Sequence, residues 1–395
     1  MKLTRFFTLV VICLLSLCLS MGLSKTLGES PTSEYDWNLP TWMPKPIVPA
    51  DNPMSSQKVA LGRHLFYEKR LSITSEFSCA SCHIQSSAFT DGKTVAVGAT
   101  GEKHPRNSMS LANIGYNPVL TWANPLMTKL ETQALVPMFG EHPVEMGMVG
   151  REQQILTMLG DDSKYRQMFA AAFGEGQDAI NLSNLTKAIA AFERTLISVN
   201  SPYDRYRFGG ESDAISKAAK RGEKLFNSER LECFHCHGGI NFSDSVMHDR
   251  LAFLEIAFHN TGLYNIDGKG AYPSDNTGVY EITTKPSDMG RFKAPTLRNI
   301  DLTAPYMHDG SIATLEAVID HYKVGGRTIH EGKFAGVGSK NPLKSEFISG
   351  FELTESEKND LIAFLKSLTD ETFIHDSAFS DPNQLSLNEV KGSKS

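Results

Sequence analysis

The stretch Leu231–Gly239, "LECFHCHGG", places two cysteines and a histidine within five positions, at Cys233, Cys236 and His237. The same spacing occurs again at Cys79, Cys82 and His83. Cys-x-x-Cys-His is the pattern of covalent c-type haem attachment: two thiols add across the haem vinyl groups, and the adjacent imidazole offers a nitrogen to the iron. A zinc half-site also uses Cys-x-x-Cys, so a single copy would leave that alternative open. Two complete copies, each closed by a histidine, favour two covalently bound haem c groups.

The remaining cysteines agree with this. Of six in the chain, Cys13 and Cys18 fall within 1–24, where Lys2 and Arg5 precede an apolar run from Phe6 to Leu19, and small residues follow at Ser20, Gly22 and Ser24. That is the layout of a cleaved secretory signal peptide, and the run is short of the ~20 apolar residues of a membrane span. Bulky Leu17 before Cys18 argues against a lipoprotein site. The expected product is a periplasmic protein, not an integral membrane protein, whose other four cysteines all lie in the two motifs. Exported chains ordinarily use cysteine for disulfides, and here none is left for that purpose.

About 370 residues follow the signal, enough for two domains with separate cores. The net charge of −6 comes without an arginine-rich run or basic patch, which argues against a nucleic-acid partner. A weak repeat supports two domains: "GRHLF" (62–66) precedes the first motif and "GEKLF" (222–226) the second. The expected fold is mainly α. An extended arm over 25–55, rich in proline and carrying Trp37 and Trp42, leads into one cytochrome c-like helical domain over 56–205. A second such domain spans 206–395 and ends in a frayed tail, and each domain holds one haem.

Apolar spacing predicts a helix over 185–198 capped by Asn184, and another over 315–322 closed by Gly325 and Gly326. A third opens with a Thr354/Glu357 capping box and carries Leu361, Phe364, Leu365 and Leu368 on one stripe. The segments 84–125, 238–290 and 326–350 show neither period. That is a heavy load of loop for a compact domain, and a haem that supplies part of the core would account for it.

The segments "SCASCH", "PRNSMSLANIGYN", "QALVPMFGEHPVEMG", "AFERTLIS", "CFHCHGG", "RFKAPTLRNIDLTAPYMHDG" and "LTESEKNDLIAFLKSLTD" together resemble the bacterial di-haem cytochrome c peroxidase and MauG superfamily. The resemblance covers nearly all of the chain after the signal. "LTWANP", "SPYDRYRFGG", "FHNTGLYN" and "DHYKVGGRT" are similar to its MbnH branch, di-haem enzymes partnered with a copper-binding protein, MbnP.

The resemblance implies that the haem of His83 is the peroxidatic one, with Glu145 as distal acid, Gln133 in the same pocket and Pro137 between them. Splitting an O–O bond needs a group that takes a proton from one oxygen and returns it to the other. The segment from Pro137 to Glu145 is two residues longer than in typical members, which leaves Glu141 as a rival. Typical peroxidases carry a blocking histidine where this chain has Ala99, with His104 nearby. For the haem of His237 the resemblance places the sixth ligand at Tyr322. Tyr322 also shares an apolar helix face with Leu315, Val318 and Ile319, whereas His321 is turned about 100° away. Met307 and His308 are the rivals. Trp122 matches a tryptophan between the haems, and a calcium site carries over onto Asn107 with backbone oxygens of Thr303 and Pro305.

So read, the chain is expected to be a periplasmic di-haem peroxidase that uses hydrogen peroxide to form a high-valent two-haem state. It would oxidise a partner protein by long-range electron transfer, converting tryptophan to kynurenine on an MbnP-like copper-binding protein. The alternative is a cytochrome c peroxidase that reduces hydrogen peroxide to water with electrons from a small cytochrome or copper protein. A non-catalytic di-haem electron carrier is a third reading.

Overall fold

Both repeat segments are helices, Ser56–Phe66 and Lys217–Phe226, capped by the side chains of Ser55 and Ser216. The glycine they share marks where each helix crosses another. A Cβ on Gly62 would lie 1.9 Å from the Ala188 carbonyl oxygen of the helix Leu182–Glu193. A Cβ on Gly222 would lie 2.0 Å from the Asp360 carbonyl oxygen of the helix Glu355–Lys366. Only hydrogen fits at either crossing, so the repeated glycine lets the backbones touch and brings Leu65, Phe66 and Phe226 into the core. The computed structural model describes residues 35–383. The expected signal peptide, the first part of the arm and the tail from 384 lie outside the described residues.

The other predicted helices are present with shifted ends. The helix expected over 185–198 runs instead from Leu182 to Glu193, because Asn181 rather than Asn184 caps it: the Asn184 N–H donates to Asn181 Oδ1 at 2.8 Å, while the Asn184 amide donates to Ala179 O. It ends early because the backbone at 198–200 is captured elsewhere. Asp370 Oδ2 accepts from the N–H groups of Val199 and Asn200 at 2.9 and 2.8 Å. The helix Leu315–Lys323 follows a Thr314 cap and closes at Gly325 and Gly326, with φ of +70° and +130°, conformations open to glycine. The Thr354/Glu357 capping box opens Glu355–Lys366.

Regular sheet among the described residues is a two-residue antiparallel ladder, with Thr328 opposite Val337 and Ile329 opposite Gly336. Buried polar side chains hold the long loops in its place. Asn113 accepts from Ser198 N at 2.7 Å and donates to Asn241 Oδ1, while Asn299 donates to Ser198 Oγ and accepts from Asp370 N at 2.8 Å. Arg298, fully buried, forks onto the Asp204 carboxylate at 2.8 and 3.0 Å. Asn113 and Asn299 both sit at positive φ and open short 3₁₀ turns, Ile114–Tyr116 and Ile300–Leu302, so the repeat extends to "LANI" and "LRNI".

From Trp37 onward the residues form one compact unit. The described part of the arm, from Trp37, crosses it without helix or strand: Trp42 stacks on Phe208 at 4.1 Å, and Pro44 O accepts from Tyr116 Oη at 2.7 Å. One core cluster draws on residues between Leu61 and Ile189, and another on residues between Tyr203 and Leu368 with Ala123. A third joins Phe66, Phe89 and Phe192 to Phe373 and Ile374 of the helix Glu371–His375. Arg63 and Tyr67 then bind the backbone oxygens of Ser380 and Phe379, so the chain end is clasped to the N-terminal half. No described helix is long and apolar enough to cross a membrane.

Replacing Gly62 or Gly222 by Ala is expected to lower stability by about 2 kcal/mol, since the methyl group has to push the touching backbones apart. Gly160→Ala, in a helix with open space around it, should instead be neutral or stabilising by up to about 1 kcal/mol. Denaturant midpoints of the three variants check this.

Candidate haem sites

Each Cys-x-x-Cys-His begins as one helical turn, Cys79–Cys82 and Cys233–Cys236, with the histidine N–H closing it onto the first cysteine's carbonyl at 3.0 Å. The chain then doubles back through a phenylalanine at positive φ, Phe89 or Phe242. That return fixes the imidazoles: His83 Nδ1 donates to Phe89 O at 2.8 Å and His237 Nδ1 to Phe242 O at 3.2 Å. A proton on Nδ1 leaves Nε2 with its lone pair free to ligate a metal. Burial lowers the pKa of both rings, which keeps them neutral. The four cysteines are unbridged, and burial pushes Cys82 up to about 11 and Cys233 to about 12.

Around the second motif lies a cavity lined by Cys233, Cys236 and His237, by the apolar side chains Leu231, Leu315, Val318, Ile319, Leu361 and Leu365, and by Tyr322. Burial, then the nearby Cys236 and Cys233 sulfurs, pushes the Tyr322 phenol above its ordinary value. It stays protonated until a cation faces it; metal coordination reverses that preference. His321, its neighbour, is turned away and donates from Nε2 to Thr261 O at 3.0 Å. Of the rivals, His308 is stacked face to face on Phe292 at 3.6 Å, and Met307 lines the cavity at positive φ. Two thiols, an imidazole and a phenol around an apolar space fit a covalent haem with His237 and Tyr322 as axial candidates.

At the first motif, the short helices Leu130–Gln133 and Leu135–Phe139 abut through Ala134, which places Gln133 and Pro137 one turn apart. Both are half-buried. Pro137 O accepts from Met146 N at 2.8 Å, and Met148 N donates to Met138 O. Between these contacts Glu141 and His142 are exposed, and Glu145 is half-buried. Burial raises the Glu145 pKa, and its charge acts on both Cys79 and Cys82. Ala99 N donates to Glu145 O at 2.6 Å, so a methyl group stands beside the carboxyl's own backbone. The His104 ring is engaged elsewhere, accepting at Nδ1 from Arg106 N.

Trp122 lies on the same cavity wall as His237, held by its Nε1 donating to Asn107 O at 2.9 Å. Asn107, Thr303 and Pro305, the residues expected to hold calcium, are among those that line that cavity. Asn107 is tied by its amide to Lys93 O at 2.7 Å. The chemistry there is oxygen donors without an aspartate loop.

Three further groups at the motifs were passed over in the sequence. Glu193 is buried near Cys79 and held up to about 8 by burial. Asp244 and His259 pair at 2.5 Å beside Cys236. Lys293 lines the second cavity. The available signal was a charged residue inside an apolar stretch, "AAFERTL", "AFHNT" and "RFKAP".

The purified full chain is expected to give two haems by its pyridine haemochrome, and the double variant Cys233→Ala/Cys236→Ala one.

A family model described as di-haem cytochrome c peroxidase matches residues 56–213. The methylamine utilization protein MauG of Methylophilus methylotrophus is 33% identical over 324 residues, 81% of this chain and 85% of the relative. Cytochrome-c peroxidase IdrP1 of Denitromonas iodatirespirans is 33% identical over 384 residues, covering 91% and 95%. Among solved structures, a MauG-like protein associated with microbial copper homeostasis matches with TM-score 0.86 at 51% identity, over 88% of this chain and 99% of that one. Similar in sequence to both relatives over most of its length, and in fold to a solved MauG-like protein, the chain belongs to the di-haem cytochrome c peroxidase and MauG family of oxidoreductases.

Proposed function

We propose that the chain is a periplasmic di-haem enzyme that uses hydrogen peroxide to oxidise a partner protein by long-range electron transfer. The observation that carries this reading is Tyr322, which lines the same cavity as Cys233, Cys236 and His237 and is close enough to both sulfurs for their charge to raise its pKa. A phenolate oxygen favours oxidised iron, as suits a haem that stores an oxidising equivalent, whereas a thioether would favour reduced iron. The haems supply the redox-active irons at Cys79/Cys82/His83 and Cys233/Cys236/His237. Glu145 takes the first proton of peroxide onto its carboxylate and returns it to the departing oxygen, and Gln133 orients the substrate. Trp122, on the wall of the cavity that holds His237, is proposed to pass an electron between the two haems. Asn107, with Thr303 and Pro305, is proposed to hold calcium.

For the partner, the copper association of the solved protein at 51% identity supports an MbnP-like copper-binding protein whose tryptophan is converted to kynurenine. A second reading, a peroxidase fed by a small cytochrome or copper protein, draws on relatives such as the cytochrome c peroxidase Ccp of Escherichia coli, 30% identical over 81% of this chain. Peroxide added to the oxidised protein separates them. A lasting absorption change without prior reduction is the expected result; a response only after partial reduction selects the second reading.

Tyr322→Phe should keep both haems yet lose the lasting change. Glu145→Gln should slow peroxide consumption by about 10² to 10⁴-fold. Because burial raises the Glu145 pKa, less carboxylate base is present as pH falls. The wild-type rate should therefore rise with pH through a midpoint above the ordinary carboxylate range, and Glu145→Gln should lack that limb.

A further inference from the structure

Lys293 is 3% exposed, and its Nζ donates to Val119 O at 2.8 Å. Among the described residues no carboxylate lies within ion-pair distance of it. Its backbone N–H donates to Trp122 O, and its side chain lines the same cavity as Trp122, Cys233, Cys236 and His237. One acidic residue lines that cavity, Glu232, and its carboxylate is bonded to His235 at 2.7 Å. Of the histidines on the wall, His259 has its counter-charge in Asp244, while burial lowers the pKa of His237 and His308 and keeps them neutral. Lys293 is therefore a buried cation at the wall of this cavity, held by one carbonyl and with no carboxylate paired to it among the described residues, and buried charges persist only when paired.

We infer that Lys293 is the counter-ion of a carboxylate of the haem held at His237, and that it anchors that carboxylate beside Trp122. This rests on the two-haem reading above. The cofactor is an anion with two flexible carboxylates, which matches a cavity with a surplus of positive charge. Burial alone lowers the Lys293 pKa to about 7, and an anion at contact opposes that shift and keeps the ammonium charged. The pairing also assigns a reason for Lys293 and Trp122 to share a backbone hydrogen bond: the charge that holds the cofactor edge and the indole next to it move as one unit.

Spectroelectrochemical titration of the haem-loaded full chain tests this, with haem content measured on the same samples. A cation near the iron stabilises its reduced form. Lys293→Met should therefore keep two haems and lower the potential of the haem of His237, so that its reduced-to-oxidised ratio at the wild-type midpoint falls about tenfold or more. Lys293→Arg, which keeps the charge, should recover most of that ratio. An unchanged midpoint in Lys293→Met, or a shift confined to the haem of His83, would overturn the assignment. If Lys293→Met loses the second haem, Lys293→Arg decides: two haems and a near wild-type midpoint support the pairing, and loss there too refutes it. A wild-type chain with fewer than two haems would instead sink the two-haem reading itself.

Discussion

The contact on which the fold depends is the touching of backbones at Gly62 and Gly222. Each crossing sets how far a helix descends onto its partner, and hence where the chain emerges toward its Cys-x-x-Cys-His. A side chain at either glycine would lift the helix by the width of a methyl group and take the motif with it. The two crossings are equivalent in form, but their partners differ: the helix Leu182–Glu193 comes from the same half of the chain as Gly62, and Glu355–Lys366 lies near its end.

Much of this was legible in the sequence because helices advertise themselves by period and thiols by spacing. The paired motifs, the glycine repeat, the Thr354/Glu357 box and the helix face that carries Tyr322 could all be read from neighbours within a few positions. What could not be read depends on distant partners. The sequence points to Asn184 as the cap, but Asn181 takes that place because the Asn184 amide is bonded to Ala179 O. The helix end at Glu193 was set by Asp370, far along the chain. Glu145 and Glu141 could not be ranked by counting, because their difference lies in burial: Glu141 is exposed, whereas burial raises the Glu145 pKa.

The loops are the other lesson. Segments without period were not without order: Asn113, Asn299, Asp370 and Arg298 supply side-chain hydrogen bonds where strands would have used backbone ones. Such bonds are costly to leave unmade once buried. They leave no periodic trace, since each polar residue is placed singly by the backbone group it must satisfy. The pairing of Asp244 with His259, and the single carbonyl that holds Lys293, belong to this class. The charged groups that matter to the second site are thus the ones pattern reading finds least easily.

The clasp formed by Phe373, Ile374 and the carbonyls of Phe379 and Ser380 has a consequence for the order of biosynthesis. Phe89, whose carbonyl orients His83, packs at 5.5 Å against Phe373, so the wall behind the first motif is finished only when the chain has been made through that residue. The second motif draws its cluster from residues no later than Leu368. The motif translated first is therefore the one whose wall is completed later.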